Sequence, residues 1–231
     1  MLLAIAGKFP GDYKDGRYTT DVDEGAANHF GQVNTTLSAN LGRMPVCSSE
    51  AGDIGQSAAI NFYIASECGL MGANHFEAAQ IIAIQEHVKE MGTAFRSHVP
   101  YGAEPTEAGM NAWFEGGADD RSPAPADGSK RGERNINWYI GRIEAVVGEG
   151  GFAVGGKISL ADVLLYNAFA EVLEAAQAAD TVAQFKREAF ASKARTDKAL
   201  EAAPKLQAIC AAVKANENVA KWLAQRGTQR F

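Results

Sequence analysis

Apolar side chains recur at helical spacing through most of the chain after residue 74. Ile81, Ile84, Val88, Met91 and Phe95 stand three or four apart and form one stripe, which predicts an amphipathic helix. Residues 133–147 repeat the theme with Ile136, Ile140, Ile143 and Val147. Residues 203–215 carry Leu206, Ile209, Cys210 and Val213 behind Pro204, which suits a first helical turn because its missing N–H has no partner to lose there. Ser159-Leu-Ala-Asp162 precedes another apolar run and predicts a capping box, with the hydroxyl and the carboxylate each meeting an otherwise orphan backbone donor.

The first third reads differently. Residues 2–6 look like the end of a helix stopped by Gly7, and 13–19 like a short strand. Residues 44–47 and 53–55 are short extended runs, with a hairpin turn expected over 48–52. Residues 56–68 read as a helix ended by Gly69. The predicted architecture is α/β plus all-α: a small α/β domain over 1–72 and an all-helical domain over 73–231. A long loop is expected at 100–132, which holds four of the seven prolines, six glycines, Asp119-Asp120, Trp113 and Phe114.

Composition narrows the function classes. The chain has 231 residues, 46% of them hydrophobic, enough to fold without metal or disulfide staples. The three cysteines, Cys47, Cys68 and Cys210, are widely spaced and include no C-x-x-C pair, so no metal is expected. A net charge of −6 with scattered basic residues argues against wrapping nucleic acid, which requires excess positive charge to displace counterions. No apolar run approaches the ~20 residues that span a bilayer, and no signal peptide is evident. The cytoplasm is the expected compartment, an organelle interior the alternative. His29, His75, His87 and His98 are isolated and form no local ligand pair. Trp113, Trp138 and Trp222 read as packing residues. No phosphate loop, dinucleotide fingerprint, nucleophile elbow or His-Glu-x-x-His motif occurs.

The most informative stretch is Gly42-Arg-Met-Pro-Val-Cys47 followed by Asp53-Ile-Gly-Gln-Ser-Ala-Ala-Ile60. A proline at a strand start lacks a ladder donor, and a bend there leaves the Met44 backbone available to a peptide-like ligand. Gln56 and Ser57 open a helix, whose free N–H groups and dipole favour a carboxylate. Together they describe a groove for an extended small peptide with an acid end; Ser57 as a simple N-cap is the competing reading.

These segments, with "GQSAAINFYIASECGLMG" and "GGKISLADVLLYNAF", resemble the cytosolic glutathione transferase family, in its sigma-like, tyrosine-type branch. The resemblance implies a thioredoxin-like N-terminal domain, an all-helical C-terminal domain, glutathione as co-substrate and a small hydrophobic electrophile as second substrate. It also implies a homodimer. Carried over residue by residue, it puts Pro45 at the bend, gives the Met44 backbone to the cysteinyl part of glutathione, and sets Gln56 and Ser57 on the γ-glutamyl end. Arg43 is expected near the glycyl carboxylate. Ser159 and Asp162 match a structural box, and Glu86 lies near an acid that crosses the dimer.

The chain also departs from that pattern. The match begins within the first helix, so the first strand and its thiolate-stabilising hydroxyl have no counterpart, and no catalytic residue is assigned. Tyr13 and Tyr18 fall past that helix, Cys47 is not at a reductase position, and Gln32 and Thr36 stand where donors to the glycyl end are usual. A free thiol titrates near ~8.5, so weak activation leaves glutathione mostly as thiol at neutral pH. Two functions follow: conjugation of glutathione to soft electrophiles, or a non-catalytic scaffold, binding or assembly subunit on the same fold, in a larger protein assembly.

Overall fold

A computed structural model of the chain describes residues 1–8, 11, 35–43, 45–100, 103–116, 134–171 and 189–225. The described residues divide into two units, one within Met1–Met71 and Asn216–Phe231, the other within Gly72–Leu173 and Lys186–Ala215.

In the first unit, α1 (Leu2–Ile5) is a single turn closed by Gly7 at φ 74. The strand expected at 13–19 lies outside the described residues. A 3-10 helix (Thr35–Asn40) leads into β1 (Val46–Ser49) and β2 (Gly52–Gly55), an antiparallel pair with Val46 opposite Gly55 and Ser49 opposite Gly52. The turn is thus Glu50-Ala51 alone, tighter than the expected 48–52, and β1 starts after Pro45 rather than at Met44. The tight turn is possible because Gly52, at φ 125, takes a conformation that L side chains rarely adopt. Next, α2 (Ser57–Glu67) ends in a Schellman arrangement: the Gly69 N–H donates to the Ser66 carbonyl and the Leu70 N–H to the Ala65 carbonyl, with Gly69 at φ 66. Leu70 and Ala65 are both buried there.

The second unit is a helical bundle. α3 (His75–His98) is capped by the Asn74 side chain, which accepts from the Phe76 and Glu77 N–H groups. Of its predicted stripe, Ile81, Ile84, Met91 and Phe95 are buried and Val88 is half-buried. The loop expected at 100–132 contains a helix, α4 (Glu107–Glu115), capped by Thr106. Met110, Trp113 and Phe114 form its buried face, so the two aromatics belong to the core rather than to a mobile surface; 117–133 lie outside the described residues. α5 (Ile136–Val146) buries Ile136, Ile140 and Ile143, and Val147 just beyond it is buried too.

At the centre is α6 (Leu160–Phe169), in which seven of ten residues are buried, as expected of a helix enclosed on most sides. It packs chiefly on α3 and on α8 (Pro204–Ala215). α8 buries the predicted Leu206, Ile209, Cys210 and Val213. Its first turn is capped from α5: the Lys205 and Leu206 N–H groups both donate to the Glu144 carboxylate at 2.9 Å. Between them, α7 (Lys193–Leu200) follows Phe190 and Ala191 at φ 47 and 58, a left-handed entry that costs about 1–2 kcal/mol per residue. Ring contacts of Phe190 with Phe95 and Trp113, both at 5.3 Å between centroids, offset that cost. The last helix, α9 (Glu217–Gln225), packs against α1 in the first unit.

Asp162 anchors the start of α6. One carboxylate oxygen accepts from the Ser159 N–H at 2.7 Å and the Ser159 hydroxyl at 2.6 Å, and the other from the Ala153 N–H at 2.7 Å. Burial pushes its pKa up from the ordinary 3.8, and the donors pull it back only in part. Asp162→Ala leaves these donors unmet and is expected to cost about 2–5 kcal/mol in denaturant unfolding. Because the folded-state pKa is raised, ionisation opposes folding. The stability advantage of the native chain over Asp162→Asn should therefore shrink as pH rises from below 3.8 through the raised value. A loss under 0.5 kcal/mol for the alanine variant contradicts the anchoring role.

Candidate functional site

The chain turns from β2 into α2 at one residue. Gln56 sits at φ 70 and ψ 123, a conformation that costs a non-glycine residue on the order of 1–3 kcal/mol and persists only where neighbours hold it. The holding group is Asn40, at the end of the 3-10 helix and only 4% exposed. Its Nδ2 donates to the Pro45 carbonyl at 3.0 Å, and its Oδ1 accepts from Gln56 Nε2 at 2.9 Å. One side chain therefore ties the bend before β1 to the mouth of α2. The approach is close: a Cβ on Gly55 would lie 2.4 Å from Asn40 Cβ and 2.6 Å from the Ala39 carbonyl oxygen.

Of the residues singled out from sequence, Pro45, Gln56 and Ser57 are brought together around this link. Met44 lies outside the described residues. Arg43 is exposed, and its backbone N–H donates to the Asn40 carbonyl at 3.0 Å. Ser57 is the first residue of α2 and not its N-cap; the N-cap is Gln56, whose side chain makes no capping bond. Every other described α-helix longer than one turn has a side chain on its first-turn N–H groups: Asn74, Thr106, Asn135, the Ser159–Asp162 box, Ser192, Glu144 and Asn216. Among the described α-helices longer than one turn, only α2 presents a first turn with no such cap and no acidic residue in it. Uncapped N–H groups and the positive end of the dipole make that mouth receptive to an anion.

The remaining candidates are placed as follows. Tyr13, Tyr18, Gln32 and His29 lie outside the described residues, and Thr36 is in the 3-10 helix. Cys47 is half-buried on β1 opposite Ile54. Burial raises the Cys68 thiol pKa in spite of Lys8, and pushes Cys210 up to about 12, so neither is poised as a thiolate. Glu86 is exposed and pairs with Lys89 at 3.2 Å. Among the described residues no group of three or more His, Cys, Asp or Glu could hold a metal ion, and no helix is long and apolar enough to cross a membrane.

Comparison with known proteins agrees with this architecture. Residues 119–226 match the family of the glutathione S-transferase C-terminal domain. Among solved structures, the chain is similar to a monomeric glutathione S-transferase of the hookworm Necator americanus, with 18% identity, a TM-score of 0.66, and coverage of 100% of this chain and 91% of that one. A Caenorhabditis elegans glutathione transferase matches at 19% identity and a TM-score of 0.65, covering 100% and 90%. A Nu-class enzyme of Haemonchus contortus matches at 18% identity and 0.62, again covering 100% and 90%. Residues 119–226 thus match a glutathione S-transferase C-terminal domain, and the chain has the glutathione S-transferase fold, a thioredoxin-like N-terminal domain followed by a helical one.

Two measurements test this local geometry. Gly55→Ala forces backbone apart at the Asn40 contact and is expected to destabilise the chain by about 1–3 kcal/mol in urea unfolding; a neutral effect contradicts the close approach. Cys210 should resist alkylation at pH 8 in the folded protein and react only after unfolding. Its native labelling at the rate of a free thiol contradicts the burial.

Proposed function

We propose that the chain binds glutathione at the bend before β1 and at the mouth of α2, and conjugates it to soft electrophiles. The observation that carries this reading is the uncapped start of α2, entered through Gln56 in a left-handed conformation. A carboxylate there accepts from first-turn N–H groups and from the Ser57 hydroxyl, for which no partner is found among the described residues. The Gln56 amide spends its Nε2 on Asn40, so its Oε1 is the atom left to accept from an ammonium group. A γ-glutamyl end, with carboxylate and ammonium on one carbon, supplies both. Met44 offers its backbone to the cysteinyl part, and Arg43, exposed beside it, takes the glycyl carboxylate.

In this reading residues 1–72 form the glutathione-binding domain and 73–231 the helical domain that takes a small hydrophobic electrophile, in a cytoplasmic protein. A two-fold dimer is supported by Leu41, an apolar side chain 83% exposed at φ 54 next to Gly42 at φ 76. An exposed leucine held on a strained turn suits burial against a second copy.

Titration calorimetry of the purified chain with glutathione is expected to show binding that Gln56→Ala and Ser57→Ala each weaken by about 1–3 kcal/mol. Unchanged affinity in both variants removes the site. Conjugation of a chloronitrobenzene substrate by the same chain supports the transferase; binding without conjugation leaves the non-catalytic reading of the fold. In sedimentation, Leu41→Arg should shift a dimer to monomer without lowering the unfolding midpoint of the monomer. A native chain that sediments as a monomer contradicts the dimer.

A further inference from the structure

We infer that Asn40 is a positioning residue of the ligand site: it fixes the Gln56 carboxamide so that its oxygen faces the ligand and its nitrogen does not. The inference rests on the glutathione reading above and assigns it a residue that makes no contact with the ligand.

A primary amide at a helix mouth can turn either its oxygen or its NH2 group outward, and the two faces recognise opposite charges. Gln56 is exposed, so solvent alone does not choose between them. Asn40 chooses. Its Oδ1 accepts from Gln56 Nε2 at 2.9 Å, while its own Nδ2 is committed to the Pro45 carbonyl at 3.0 Å. The second bond matters because it fixes which end of the Asn40 amide meets Gln56. A carbonyl accepts only, so Nδ2 must face Pro45 and Oδ1 must face Gln56. Burial of Asn40 to 4% exposure and the close fit of Gly55 over it leave the side chain little room to rotate. The chain of bonds Gln56 Nε2 to Asn40 Oδ1, and Asn40 Nδ2 to Pro45 O, thus carries an orientation from a backbone carbonyl to a surface amide sixteen residues from Asn40 along the chain. It also restrains the left-handed Gln56 backbone that aims the first turn of α2.

A double-mutant cycle separates this role from general support of the fold. Asn40→Ala is expected to weaken glutathione binding about ten-fold by calorimetry, and to have almost no further effect in a Gln56→Ala background. Asn40→Asp keeps the acceptor for Gln56 Nε2 and loses the donor to Pro45. It should melt lower than the native chain yet hold glutathione within about three-fold of native affinity, which also serves where the alanine variant fails to fold. Additive losses in the cycle, or an Asp variant as weak as Ala, overturn the positioning role while leaving the site intact. If instead Gln56→Ala and Ser57→Ala both bind as the native chain does, the site reading itself falls, and the role of Asn40 with it.

Discussion

The first unit depends on one side chain with two hydrogen bonds. Asn40 connects the carbonyl of Pro45 with the amide of Gln56, and without it the bend before β1 and the mouth of α2 have no direct polar link among the described residues. The arrangement is costly at several points. Gln56 and Leu41 both sit at positive φ, Asn40 is buried, and Gly55 has no space for a side chain. A fold needing only a stable hairpin and helix would have no reason to strain the junction between them. Strain of this kind collects where geometry serves a ligand, and here it surrounds the start of α2, whose first-turn N–H groups meet no side-chain cap among the described residues.

The second unit shows the contrast. Its helix starts are closed by Asn74, Thr106, Asn135, Asp162, Ser192 and Glu144, each satisfying donors internally. The buried face of α6, the aromatic contacts of Phe95, Trp113 and Phe190, and the cap lent by α5 to α8 make it a packed support. The charges and hydroxyls that its caps consume are unavailable for chemistry. The polar groups of the proposed glutathione site are accordingly drawn from the first unit.

Much of this could be read from sequence. Pro204 with its stripe through Val213 gave a helix to within a residue, because one local rule set its start and a single period set its face. The Ser159–Asp162 box and the Gly69 stop are equally local. α4 was hidden because Pro and Gly averaged over 100–132 outweighed the short Met110, Trp113, Phe114 pattern behind Thr106. The hairpin is legible in the sequence, but the narrowing of its turn from 48–52 to Glu50-Ala51 is not, because nothing in those two residue types demands a tight reversal; Gly52 permits it. The placing of Gln56 and Ser57 at a helix mouth was legible, but that Ser57 is not the cap was not. Asn40 could not be found at all, since its partners lie five and sixteen residues away and only the folded chain brings them together.

The most direct measurement of the central claim is amide chemical-shift mapping of the isotopically labelled chain with saturating glutathione, compared with the dipeptide Cys-Gly. The account predicts that the Ser57 and Ala58 N–H resonances move downfield with glutathione and stay in place with the dipeptide, which lacks the γ-glutamyl carboxylate. Resonances of α2 unmoved by glutathione, or moved equally by both compounds, would contradict it.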